Sequence, residues 1–167
     1  MTSENPIIEL IDKYKPLKEK YQLPEFSKIN ELFDIEDIDP ESEFILRKIR
    51  RTIADKIANY LRFTEIIINP SNAPMFFFKL LKRLTSEDKE GLSKIYESLG
   101  NAELKMLSLD VEYNESEEAK FINEMCKAFT TEIKSEFLKT FKKFSTLPRL
   151  IWGRKWQQNS QEQPGNP

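Results

Sequence analysis

The chain has 167 residues, 39% of them apolar and 32% charged, and its 26 Lys plus Arg nearly balance 28 Asp plus Glu, for a net charge of −2. It contains no histidine, one cysteine and four glycines, which excludes Ser-His-Asp and Cys-His catalysis, histidine-containing zinc sites, an internal disulfide and the glycine loops that cradle phosphates. The length fits one domain, large enough to bury roughly 70% of its unfolded surface without a staple, and the near-zero charge leaves electrostatic roles to local asymmetry.

Asn5-Pro6 reads as a cap followed by proline at the first helical position. Ile7, Ile8, Ile11, Tyr14 and Leu17 then form an apolar stripe, with Pro16 expected to kink or end the helix early. Pro24 opens a short second helix carrying Phe26, Ile29, Leu32 and Phe33. Asp39-Pro40 repeats the cap-proline signal, and Glu41 and Glu43 fall where a helix dipole favours anions. Leu46, Ile49, Ile53, Ile57, Tyr60 and Ile67 recur at helical spacing, so the spacing predicts a helix from Pro40 to Ile68, ~43 Å long. Asn69 to Pro74 breaks it.

A very apolar helix is expected from Met75 to Leu84. Thr85 or Ser86 caps the next, whose stripe is Leu92, Ile95, Tyr96 and Leu99, with Gly100-Asn101 as its end. In residues 102–113 Leu107, Leu109, Val111 and Tyr113 alternate with polar residues, a strand pattern without a partner strand. The expectation there is helix turning to extended chain. Asn114-Glu115-Ser116-Glu117 reads as a capping box, followed by an apolar face of Phe121, Ile122, Met125, Cys126 and Phe129. Thr130-Thr131 marks a break before a last helix lined by Ile133, Phe137, Phe141 and Phe144. Residues 157–167 are polar and read as a disordered tail. The elements predict an all-α, single-domain antiparallel helical bundle of about five to seven helices over residues 1–156.

Three segments stand out for binding. Between Phe137 and Gln161 lie six cations, Lys139, Lys142, Lys143, Arg149, Arg154 and Lys155, and no acid. Both tryptophans, Trp152 and Trp156, sit among them. Such a mixture suits unpaired bases and phosphates, an anionic membrane surface or a protein partner, although packing of the tryptophans on the bundle is the plainer reading. Arg47, Arg50 and Arg51 lie on a basic helix face, preceded by an acidic run (Glu31, Asp34, Glu36, Asp37, Asp39, Glu41, Glu43) able to neutralise it. That run lacks the glycine of a calcium loop. Phe76, Phe77 and Phe78 cannot all face one core from one helix, so the helix is either enclosed or a contact site. Cys126 reads as a small core residue.

No apolar stretch approaches the ~20 residues of a membrane span, and no signal peptide is legible in the first residues. The sequence therefore predicts a cytoplasmic, non-catalytic protein-interaction module, a small subunit of a larger assembly or a homodimer. It implies no catalytic, cofactor or metal residues and no small-molecule substrate. The alternative is nucleic-acid binding through residues 139–156.

Overall fold

A computed structural model describes residues 5–145; Arg149, Trp152, Arg154, Lys155, Trp156 and the tail 157–167 lie outside the described residues. Within that range the chain is all α. Helix α1 (Pro6–Tyr21) starts where Asn5 accepts a hydrogen bond from the Ile7 amide. It continues past Pro16 to Tyr21, so Pro16 does not end it early. Pro16 is exposed and leaves the buried face, Leu10 and Tyr14, intact. Gln22 (φ 53°) and Asp34 (φ 54°) adopt left-handed conformations that end α1 and α2 (Phe26–Phe33), a common helix stop.

Helix α3 (Ile45–Ile68) is the central rod, 24 residues and about 36 Å long. It begins five residues later than the sequence predicts. The Asp39 carboxylate accepts from the Glu41 amide and the Asp39 carbonyl from the Ser42 amide, so Asp39-Pro40 builds a turn that competes with helix at this point. Ile45, Leu46, Ile49, Ile53, Ile57 and Ile67 bury one face of α3, mainly against α5 and α6. Each such side chain contributes about 1.5–3 kcal/mol on burial.

After a 3-10 turn at Pro70–Asn72, helix α4 (Met75–Leu81) spans only seven residues. Helix α5 (Ser86–Val111) opens with a reciprocal capping box between Thr85 and Asp88. It continues through Gly100 to Val111, which corrects the expected extended segment. Leu99, Ala102, Met106 and Leu109 extend its buried stripe, while Leu104, Leu107 and Val111 point outward. Asn114 caps α6 (Glu115–Ala128) by accepting from the Glu117 amide. Thr130 and Thr131 do not break the rod. Residues Phe129–Ile133 form a π-turn that passes directly into α7 (Lys134–Ser145), and the Thr130 hydroxyl donates to the Cys126 carbonyl. Since α6 and α7 share one rod, the bundle has six rods among the described residues.

Candidate interaction surface

Helix α4 is too short to hide its apolar residues. Its buried residues are Leu80 and Leu81, adjacent positions that leave the opposite side of its two turns to solvent. Phe77 is half-buried and tilts onto Phe63 of α3. Met75 is 79% exposed, and Phe76 and Phe78 are also exposed. Three consecutive phenylalanines are thus divided: one anchors the helix, and two face outward. The last residue of α3, Ile68, is also exposed.

The same Phe63 joins α4 to α7. Its ring centroid lies 5.3 Å from that of Phe141 and 6.4 Å from that of Phe144. Arg83, just beyond α4, donates to the Lys143 carbonyl. On α7 the inward residues are Ile133 in the π-turn, then Phe137, which stacks on Tyr60. Leu138 and Phe141 are 53% and 40% exposed. They border a cleft of about 220 Å³ floored by Leu32, Tyr60, Phe129 and Phe137. Phe63 thus joins α4 and the end of α7 into one neighbourhood, with exposed apolar side chains on both helices.

Its charge is one-sided. Residues 66–84 hold Lys79, Lys82 and Arg83 and no acid. Lys79 and Lys82 are exposed, and neither makes an ion pair among the described residues. Of the sequence-predicted cations on α7, two are engaged. Lys143 donates to buried Asp88, and Lys139 lies within 3.7 Å of Asp88, Glu87 and Glu136. The Lys143 hydrogen bond holds the Asp88 carboxyl well below the usual carboxylate range against the cost of its burial, with the Thr85 amide and hydroxyl assisting. Lys142 alone of the three points to solvent without an acidic partner among the described residues.

The predicted basic face of α3 turns out to be largely internal. Arg50 is 1% exposed, with Nε 2.6 Å from Glu118 and a terminal nitrogen 2.6 Å from Asp110. Arg47 donates to the Leu109 carbonyl and lies over the Tyr113 ring. Arg51 remains on the surface, 3.7 Å from Asp110. Their acids come from α5 and α6. The acidic run before α3, expected to neutralise this face, supplies only Asp34, which pairs with Lys56. Burial pushes the Glu118 carboxyl up despite the opposing pull of Arg50.

Sequence reasoning named Phe76, Phe77 and Phe78 as candidates, of which Phe77 is half-buried and the other two exposed, and it missed Leu138, which lies off the main α7 stripe. It also missed the outward Leu104, Leu107 and Val111 of α5, where Val111 is 90% exposed. Spacing at i, i+3 and i+7 was the available signal, masked by the alternation with polar residues. Cys126 is buried beside Met125, and burial pushes its thiol up to about 11, unlike a reactive thiolate. Among the described residues no group of three or more His, Cys, Asp or Glu is arranged to hold a metal, and no helix is long and apolar enough to cross a membrane. No family, curated protein or solved structure matches this chain.

Proposed function

We propose that this chain is a non-catalytic helical protein-interaction module, a small subunit of a larger assembly or a homodimer, and that the α4–α7 face is its contact surface. The observation that carries the reading is the exposure of Met75, Phe76 and Phe78 on α4 and of Leu138 and Phe141 on α7, two helices that meet through Phe63. Contiguous exposed apolar groups rimmed by polar ones are the usual mark of a docking surface. Lysines at the rim keep such a face soluble and steer an oppositely charged partner.

The test compares the full chain with a Met75→Ser/Phe78→Ser variant by light scattering after size exclusion and by cross-linking mass spectrometry. The expected result is assembly, with itself or a co-purifying protein, that the variant loses while its helical circular dichroism is unchanged. A monomer without cross-linked neighbours refutes the reading.

The alternative is nucleic-acid binding through residues 139–156. The exposed Lys142 beside Phe141 supports it, while the engagement of Lys139 and Lys143 by acids weighs against it. RNA binding by anisotropy with a log–log salt slope of about −0.7 per neutralised phosphate, retained by the serine variant, assigns the cations to that role instead.

A further inference from the structure

The segments that precede and follow α3 differ in charge. Beyond its C-terminal end stand α4 and its lysines. Leading into its N-terminal end is the run from Glu31 to Glu43, with seven acids and no base. Within it Glu36, Asp37, Asp39 and Glu43 are exposed and make no ion pair among the described residues. The acidic end is not merely charged. Asn5, Pro6, Ile7, Ile38 and Pro40 line a groove of about 380 Å³ together with Glu36, Asp37 and Asp39, and Lys13 stands at its edge, donating to the Pro40 carbonyl and pairing with Glu9 and Glu41. Ile7 and Ile8 leave apolar surface exposed beside it.

The two ends are complementary. One is a seven-residue helix with exposed apolar residues and with exposed Lys79 and Lys82 at its C-terminal end. The other is a groove lined by apolar and anionic side chains. Carboxylates beside an apolar lining favour an apolar knob that brings its own positive charge, because each charge then keeps a partner as water leaves. The groove belongs to the segment that precedes α3 and the knob to the one that follows it, and α4 is packed on Phe63 of its own chain, so the occupant considered for the groove is the knob of another molecule.

We infer that the α4 face docks in the acidic groove of a second copy of this chain, with Met75 and Phe78 over Ile7, Ile38 and Pro40, and Lys79 and Lys82 against Glu36 and Asp37. This rests on the interaction-module reading and names its partner. The contact is heterologous: the surfaces that meet differ, so repetition gives a ring or an open chain rather than a closed two-fold dimer. It is salt-sensitive, since its rim charges lie within the range that salt screens.

The test is sedimentation velocity on the full chain across a concentration series at low and high salt, with two charge-reversed variants. Glu36→Lys/Asp37→Lys alters the groove, and Lys79→Glu/Lys82→Glu alters the knob. All four positions are on the surface, and circular dichroism confirms that each variant folds. The wild-type chain is expected to associate with increasing concentration and to dissociate as salt rises. Each variant alone is expected to lose association about a hundredfold or more, the effect of like charges facing each other. An equimolar mixture of the two is expected to associate again, through the intact knob of one and the intact groove of the other.

Wild-type behaviour in the groove variant overturns the proposal, because a knob-to-knob contact would ignore the groove. Association that strengthens with salt overturns it as well. A monomer at every concentration overturns it too. If that monomer still cross-links to another protein through α4, the interaction-module reading stands and only the identity of the partner falls. Binding of anionic phosphatidylserine vesicles or of RNA by a persistently monomeric chain likewise assigns the face to a different occupant.

Discussion

Arg50 and Glu118 form the most consequential side-chain pair in the bundle. Both are essentially inaccessible to water, and they join α3 to α6 through a 2.6 Å ion pair. The second Glu118 oxygen has no hydrogen bond, and Arg47 Nε stands 3.7 Å from it. A buried pair with an incompletely satisfied carboxylate adds little net stability, yet removing one member leaves a stranded charge. Arg50→Met is therefore expected to destabilise the fold by about 3–5 kcal/mol, and Arg50→Met/Glu118→Met to regain most of that loss. The midpoint of urea unfolding checks both. The pH dependence has a defined sign. Burial already raises the Glu118 carboxyl with Arg50 present, and without Arg50 the larger part of the opposing pull is gone, only that of Arg47 remaining. The single variant's deficit should then shrink as pH falls through that raised value, because protonation removes the stranded charge. A deficit that stays constant with pH, or a double variant no better than the single one, would show that Arg50 acts through packing alone.

At the scale of elements, α5 shows what limits reading a helix from its sequence. Its start at Thr85 or Ser86 and the stripe to Leu99 were legible, although the reciprocal bond between Thr85 and Asp88 was not read. Beyond Gly100 the outward Leu107 and Val111 imitate a strand's alternation, and only the bundle decides which leucines are inside. The start of α3 failed for a local reason, since Asp39 bonds the turn rather than capping a helix. The π-turn at Phe129–Ile133 left no sequence signature beyond two threonines whose hydroxyls bond back to the preceding turn. The candidate surface was half legible: α4 advertised itself through three phenylalanines, whereas the inward turn of Arg50 depends on acids 60 and 68 residues away. The two α5 glycines convert this into a prediction. A Cβ at Gly100 meets nothing within 4 Å, while one at Gly91 would fall 2.6 Å from the Glu136 carboxylate. Gly100→Ala should stabilise the chain by about 0.5–1 kcal/mol, raising its Tm by a few degrees. Gly91→Ala should gain less, because Glu136 must swing away, and Gly91→Ala/Glu136→Ala should recover the difference. Calorimetry of the three variants checks the order. Equal gains at both glycines would mean that the Glu136 contact has no energetic weight.

At the scale of the molecule, the core and the surface proposed for binding differ in how firmly they are held. Helices α3, α5 and α6 share one continuous core in which Ile53, Ile57, Leu92, Leu99, Phe121 and Ile122 are all excluded from water. Helix α4 contributes only Leu80 and Leu81 to the interior, lacks a side-chain cap at Pro74 and is seven residues long, well below the length at which a helix sustains itself. Its order depends on the Phe63 contacts and on the short segment to Arg83. Native-state hydrogen exchange should therefore find the α4 amides opening locally, at a free energy well below that of global unfolding. The core amides of α3, α5 and α6 should exchange only when the whole bundle unfolds. A helix that opens alone can adapt to a partner without disturbing the core, and a contact should close it. If α4 is the knob of a head-to-tail contact, raising the protein concentration at low salt should slow exchange in α4 and in residues 36–40 while leaving the core rates unchanged. Protection of α4 equal to that of α3 in the dilute protein would show instead that its outward aromatics decorate a rigid part of the scaffold.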